Sequence, residues 1–183
     1  VDYADAEKHD AQRGSPGAQA RALEALEVLQ ASRTHPEQRV HMISVLQDDN
    51  LEDVEPLIHR CEQLGVTYLI TLYSHSRGSK PPRRPPADVS QHLLELKQRH
   101  RHFVALRGYL ARFGEALREG GIGPCAAGQN LCNIDSEGNV TFCIDRLDQP
   151  AGNLLTEELP QILQRLKDRQ REHPCGACWT SCR

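Results

Sequence analysis

The stretch VHMISVLQDDNLEDVEPLIHRCEQLGVTYLITLY, residues 40–73, decides the fold. Residues 40–47 and 66–73 are apolar runs rich in β-branched side chains, and each has the length of a strand buried on both faces. Between them, residues 51–64 form an amphipathic helix that Gly65 ends. The apolar face of that helix carries Val54, Leu57, Ile58, Cys61 and Leu64. Strand, helix and strand in this order predict β/α units around a parallel sheet.

A further helix is predicted before this unit. Residues 1–14 are polar and irregular in pattern, and Ser15 followed by Pro16 is typical of a helix start. Residues 18–31 then have the spacing of an amphipathic helix. In sheets of this kind ligands bind at the carboxyl ends of the strands, where Gln47, Asp48 and residues 74–79 would lie.

A proline-rich segment, SKPPRRPPAD at residues 79–88, interrupts this pattern. It can continue neither a helix nor a central strand. Arg83 and Arg84 would suit a nucleic-acid patch, but without aromatic neighbours a solvated loop is favoured. Residues 89–118 then carry leucines at helical spacing and predict one or two helices.

The composition changes after Gly120 and Gly121. NLCNID and VTFCID flank the turn SEGN, which predicts a β-hairpin with Gly138 at the positive-φ position. A final helix over about residues 156–171 leads into a cysteine-rich tail. We therefore predict two domains, residues 1–118 and residues 119–183.

Composition limits the classes of function. The 183 residues are 38% hydrophobic and 26% charged, with a net charge of −3. That charge gives no reason to expect nucleic acid or an anionic membrane as partner. No apolar run approaches the roughly 20 residues of a membrane span, and no signal-peptide pattern opens the chain. The chain begins at Val1 and its one methionine is Met42, so we expect it to be part of a longer protein.

Seven cysteines without a secretion signal favour metal ligation in a reducing compartment over a disulfide framework. The hairpin can bring Cys125 and Cys143 together, and the last helix returns the chain to deliver Cys175 and Cys178 as a C-x2-C pair. Thiolates without histidine suit either zinc or an iron–sulfur cluster, and spacing alone leaves both open.

The remaining thiols carry weaker predictions. Cys61 lies on the apolar face of its helix, which favours a buried structural thiol over a ligand. Cys132, on the first hairpin strand, is either a ligand or a core residue. Cys182 is a fourth or a spare ligand. His59 and His92 are interpreted as residues of helix surfaces.

The order of these cysteines resembles the C-terminal extension of radical S-adenosylmethionine (SAM) enzymes, the SPASM domain or its shorter twitch form. The pattern of that extension is followed by Cys125, then Gly138-x4-Cys143, then AGNL, then Cys175-x2-Cys178-x3-Cys182. IDSEGNVTFC is similar to its hairpin. Four thiols in this order are nearer the single-cluster twitch form.

The N-terminal half resembles the same family. VDYADAEKHDAQRGSPG, residues 1–17, is similar to the segment that follows the fourth barrel strand, and residues 40–47 and 66–73 would be the fifth and sixth strands. The resemblance implies the C-terminal half of a partial (β/α) barrel followed by a small α+β domain. The family's defining C-x3-C-x2-C motif is absent, so we expect the first barrel units to be missing and this chain to be inactive alone.

The resemblance implies an enzyme that uses SAM to make a 5′-deoxyadenosyl radical and that modifies a substrate, often a peptide or protein. It implies an auxiliary four-iron–four-sulfur cluster, a redox donor such as flavodoxin or ferredoxin, and a cytoplasmic location. Asp2 and, less directly, Arg13 match positions that would contact SAM. The implied cluster ligands are Cys125, Cys143, Cys175 and Cys178, with Cys182 as a further candidate. The alternative from another class is a non-enzymatic zinc-binding module with four cysteine ligands.

Overall fold

The computed structural model describes residues 1–73, 83, 85–86, 88–172, 175–176 and 178–179. The chain divides into two compact units. Unit 1 comprises Val1–Tyr73 and Arg83–Arg118, and the described part of unit 2 begins at Glu119.

Unit 1 opens with two helices, α1 (Ala6–Arg13) and α2 (Ala18–Ala31). Helix α1 lies in a segment predicted to be irregular. It forms because the Asp5 carboxylate accepts a hydrogen bond from the Lys8 N–H, and because Gly14 ends the helix in a left-handed conformation. The predicted start of α2 at Ser15 is wrong. The cap is supplied from α1 instead, by the Asp10 carboxylate, which accepts from the N–H groups of Gly17 and Gln19.

The strand–helix–strand unit forms as predicted. Strand β1 (His41–Leu46) is followed by a 3-10 turn (Leu51–Asp53), helix α3 (Val54–Leu64) and strand β2 (Thr67–Leu72). The two strands pair in parallel, from His41 opposite Thr67 to Leu46 opposite Leu72. The crossover helix makes this direction possible, because it returns the chain to the same end of the sheet.

Burial of both strands on both faces is not observed. Alternate residues of β1 and β2 are buried, whereas those between them are partly or well exposed, as Ile43 is at 49%. The buried face packs on α3, where Met42 Sδ lies 3.8 Å from Cys61 Sγ. The predicted two-sided burial is therefore wrong for the described residues, because the outward positions of both strands keep contact with solvent.

The rest of unit 1 contains a short extended segment that pairs with β2. The Tyr68 N–H donates to the His102 carbonyl at 2.8 Å, and the Val104 N–H donates to the Tyr68 carbonyl at 3.0 Å. This segment follows α4 (Val89–Arg99) and precedes the short helices α5 (Arg107–Ala111) and α6 (Phe113–Glu119). Most of the proline-rich segment lies outside the described residues.

The described part of unit 2 contains a three-stranded antiparallel sheet and one helix. The predicted hairpin is formed by β3 (Asn133–Ile134) and β4 (Asn139–Thr141), and Gly138 has a φ of 82° in its turn. A third strand, β5 (Pro150–Asn153), was not predicted. It lies at the edge of the sheet, where Pro150 can be accommodated. Helix α7 (Leu159–Glu172) covers the sheet through Ile162 and Leu166, which are fully buried.

The described residues form no closed barrel, so the partial-barrel prediction stays a prediction. None of the helices in the described part of the chain combines the length and apolar character needed to cross a bilayer.

Candidate metal centre

The backbone of the tail pairs with the segment before the hairpin. The Cys125 N–H donates to the Cys175 carbonyl at 2.7 Å, and the Ile122 N–H donates to the Cys178 carbonyl at 3.3 Å. These two bonds run antiparallel across the two segments. They place the main chain of the C-x2-C pair beside that of Cys125, although fifty residues separate them along the chain.

Two glycines permit this close pairing. A Cβ at Gly123 would lie 3.3 Å from the Gly176 Cα, and a Cβ at Gly176 would lie 3.1 Å from the Gly123 Cα. Both contacts are with backbone, which cannot move aside as a flexible side chain can. Glycine at each position therefore lets the two segments approach closely enough to share hydrogen bonds.

Cys143, just beyond β4, is coupled to the thiols of these segments. Burial raises the pKa of the Cys143 thiol, and a hydrogen bond from the Asp145 backbone N–H opposes that rise. Negative charge on Cys175 or Cys125 raises the pKa of Cys143 further, as the Asp145 carboxylate does. The three thiols therefore interact electrostatically. A cation bound among them would reverse this effect and favour the thiolates.

Cys125 is held by contacts on both its sulfur and its backbone. The Ala127 N–H donates to Cys125 Sγ at 3.3 Å, which is a bond to sulfur of the kind that tunes iron–sulfur centres. The Gln170 side-chain amide donates to the Cys125 carbonyl at 2.9 Å, and the Gln129 side-chain amide donates to Oε1 of Gln170. Gln170 is buried on α7.

Sequence reasoning missed Gln170, although a signal was present. Gln170 continues the i, i+4 row of Ile162 and Leu166 along the buried face of α7. An amide in such a row requires a hydrogen-bond partner, because an unpaired buried polar group is costly. Here the partner is the backbone of a candidate ligand.

The spacing of the thiols bears on the kind of metal they suit. Tetrahedral zinc with bonds of about 2.3 Å holds its thiolates roughly 3.8 Å apart. Among the described residues, no group of three cysteines is gathered closely enough to form a ready-made site for a single ion. A cubane cluster binds its thiolates at four separate iron corners, so it accepts a wider set of sulfurs. The two kinds of site therefore differ in the thiolate spacing they need, and metal analysis distinguishes them.

A pocket of about 290 Å³ in unit 2 borders one of the candidate ligands. Cys175 lines it together with Phe142, Arg146, Gln149, Arg169 and Glu172.

Two other thiols, Cys132 and Cys61, pack in apolar surroundings. Cys132 packs against the core residues Val140, Ala151, Ile162 and Leu166. Cys61 is fully buried in unit 1, as predicted for a structural thiol. Cys182 lies outside the described residues.

Asp2 and Arg13 lie together in unit 1. Arg13 donates to Asp2 Oδ2 at 2.5 Å, and the Val45 N–H donates to Asp2 Oδ1 at 2.8 Å. Asp2 is 2% exposed. These contacts tie the N-terminal segment to β1, and a contact of either residue with SAM stays a prediction.

No protein-family model matches the chain. Two curated proteins are similar to it. One is the AdoMet-dependent heme synthase of Methanosarcina barkeri (strain Fusaro / DSM 804), 26% identical over 210 aligned residues that cover 97% of this chain and 58% of that protein. The other is the mycofactocin maturase MftC of Mycobacterium ulcerans (strain Agy99), 28% identical over 211 aligned residues that cover 100% of this chain and 53% of that protein. Both are radical SAM enzymes.

Over nearly its whole length, the chain is similar to two members of the radical SAM family. The resemblance inferred from the sequence is thereby confirmed at the level of the family. The chain spans a little over half the length of these two relatives. Radical SAM enzymes use SAM and iron–sulfur clusters, so the comparisons support both cofactors for the family.

Proposed function

We propose that this chain is the C-terminal part of a radical SAM enzyme and that it binds an auxiliary four-iron–four-sulfur cluster through Cys125, Cys143, Cys175 and Cys178. The observation that carries the proposal is the antiparallel pairing of the tail with residues 122–125, which brings sequence-distant cysteines to one place. Electrostatic coupling of Cys143 to Cys125 and Cys175 supports the same grouping.

A cluster with four thiolate ligands has no open iron position. It supplies electron transfer when bound, rather than a binding site for SAM. Backbone groups of the chain would hydrogen-bond to the ligating sulfurs. The Ala127 N–H donates to the Cys125 sulfur, and the Asp145 N–H donates to the Cys143 sulfur. Gln170 fixes the Cys125 backbone.

For the whole protein we propose 5′-deoxyadenosyl radical chemistry on a peptide or protein substrate. One relative is named a maturase, which supports a precursor as substrate. The other is named a heme synthase, so the substrate class has to be tested directly. SAM would be bound in the barrel, where Asp2 and Arg13 are our candidate contacts.

The test of the cluster is anaerobic reconstitution of the chain with iron and sulfide. We expect a brown protein with about four irons and four sulfides per chain and an electron paramagnetic resonance signal on reduction. Alanine at each of the four cysteines should sharply reduce the iron content. Cys132→Ala and Cys61→Ser are the matched controls, because both thiols pack in apolar surroundings.

A colourless protein that holds one zinc ion through the same cysteines would instead support the zinc-binding module. A second assay addresses the reaction. The reconstituted chain, incubated with dithionite and SAM, should form no 5′-deoxyadenosine, because the C-x3-C-x2-C motif is absent. Turnover by this chain would contradict the assignment of radical formation to another part of the protein.

A further inference from the structure

A second group of metal-binding side chains lies in unit 1 and shares no residue with the thiol site. Glu55 and His59 lie one turn apart on α3, and His100 follows the end of α4. One donor atom from each of these three residues lies within 4.8 Å of the other two. From these residues we propose a binding site for a divalent first-row transition metal, with Zn²⁺ as the ion to test.

Glu62 gives both imidazoles the orientation that metal ligation needs. Its Oε1 lies 3.1 Å from His100 Nδ1, and its Oε2 lies 3.1 Å from His59 Nδ1. The Glu62 carboxylate thus contacts the Nδ1 atom of each of the two histidines. With each Nδ1–H donating to Glu62, Nε2 is the nitrogen that each ring offers to a metal. Histidine ligands in metalloproteins are commonly oriented by a carboxylate in this way.

Glu55 supplies the third donor. Its Oε1 lies 3.0 Å from His100 Nε2, the nitrogen that Glu62 leaves for the metal. Metal–nitrogen and metal–oxygen bonds of about 2.0–2.2 Å place adjacent donors roughly 3 to 3.5 Å apart, so this pair needs little movement. Two imidazoles and one carboxylate form a donor set that zinc uses with water in its remaining position.

Burial distinguishes this group from an ordinary surface ion pair. The His100 side chain is only 9% exposed, whereas those of Glu55 and Glu62 are about one-third exposed. The His59 side chain is 55% exposed and lies edge-on to the His100 ring, with 4.8 Å between ring centroids. The ligands therefore approach from a fixed interior side, and the solvent side provides a path for the ion.

One cation competes for the site. Arg99 Nη1 lies 2.9 Å from Glu55 Oε1, and the Arg99 side chain is 57% exposed. A metal bound to Glu55 has to share this carboxylate with the guanidinium or displace it. Arg99→Ala should therefore strengthen metal binding. If the three residues served only as an ion-pair network, the same substitution would instead remove one of its ion pairs.

The experiment uses the chain with its iron–sulfur cluster reconstituted, so that the thiols are already ligated. Zn²⁺ is titrated by isothermal titration calorimetry, and the bound ion is analysed by zinc K-edge X-ray absorption. We expect one equivalent of zinc with nitrogen and oxygen neighbours at about 2.0–2.2 Å. His59→Ala and Glu55→Gln should each weaken binding by about tenfold or more, and Glu62→Gln by about 10- to 100-fold.

His92→Ala is the matched control, because His92 is an exposed helix-surface histidine outside the group. It should titrate as the unmodified chain does. Because His59 and Glu55 are partly exposed, their substitution should leave the fold intact, which circular dichroism checks. The proposal is overturned if the chain takes up no zinc, if the bound zinc has only sulfur neighbours, or if His59→Ala binds zinc as tightly as His92→Ala.

Discussion

Cys61 shows how burial sets the chemistry of a single thiol. Its side chain is fully buried, and its Sγ contacts Met42 Sδ at 3.8 Å. Burial raises the pKa of the Cys61 thiol to about 12. Because the thiolate is the reactive form, this cysteine should be inert in the folded chain.

Alkylation provides a direct check of this prediction. Iodoacetamide at about pH 8, near the pKa of an unperturbed thiol, should leave Cys61 unmodified in the native chain and modify it after unfolding. Cys61→Ser should lower the free energy of unfolding by about 1–3 kcal/mol, because a hydroxyl replaces the thiol in apolar surroundings. Its iron content should equal that of the unmodified chain, as mass spectrometry and iron analysis can establish. Loss of iron would mean that Cys61 contributes to the metal site.

Individual elements of the fold depend on a few contacts that cross between segments. Helix α2 is capped by Asp10 of the preceding helix, and the tail reaches its place beside Cys125 through two facing glycines. Both contacts can be removed by one substitution, which makes each element separately testable.

The cap on α2 should make part of the stability depend on pH. Hydrogen bonds from the Gln19 and Gly17 N–H groups lower the pKa of Asp10 below its ordinary value of 3.8, against an opposing effect of partial desolvation. The charged carboxylate is therefore favoured in the folded state. Its contribution is fully present above the unfolded pKa and is lost as the pH falls through the lower, folded pKa.

Thermal unfolding at several pH values tests this prediction. Asp10→Ala should melt below the unmodified chain at neutral pH, and the difference should shrink once the pH falls below about 3.8. Asp88→Ala is the control, because Asp88 precedes α4 without a side-chain capping bond. A difference for Asp10→Ala that stayed constant down to acidic pH would show that the charge does not act through the cap.

Gly123 and Gly176 bind no metal, but we expect a larger residue at Gly176 to lower metal binding at the thiols. Gly176→Ala would place a Cβ 3.1 Å from the Gly123 Cα and 3.5 Å from the Gly123 nitrogen. The two segments would have to separate, which should lower the iron retained after reconstitution and desalting. Gly108→Ala is the control, since a Cβ there meets nothing within 4 Å. Equal iron content in the two variants would show that the close approach is not needed.

At the scale of the whole chain, the two units differ in what stabilises them. Unit 1 has a parallel sheet packed on α3 with fully buried Ile58 and Leu46. Unit 2 has short strands and a small core of Val140, Ala151, Ile162 and Leu166. A small core supports little stability by itself, so metal ligation should matter more for unit 2.

Hydrogen exchange followed by mass spectrometry can separate the two contributions. Removing iron from the reconstituted chain with a chelator should increase exchange at residues 122–125 and 139–143, where the ligands are anchored. Exchange in β1 and β2 should stay unchanged, because the proposed cluster ligands are all in unit 2. Equal protection of unit 2 with and without iron would show that its fold does not depend on the cluster.

The sequence by itself determined the local elements with strong periodicity. Helix α3, both strands of the parallel pair and the hairpin around Gly138 lie where the pattern of apolar residues and turn glycines predicted them. The resemblance to the radical SAM family also came from the sequence alone. These features depend on neighbours along the chain, and the sequence lists those neighbours directly.

Only the tertiary structure decided which distant residues meet. The cap of α2 comes from Asp10, strand β5 forms because β4 offers it an edge, and Gln170 is buried because the Cys125 carbonyl is its partner. The group of Glu55, His59 and His100 likewise joins two elements some forty residues apart. Each of these contacts depends on how separate segments pack, and the period of a single segment carries no information about that packing.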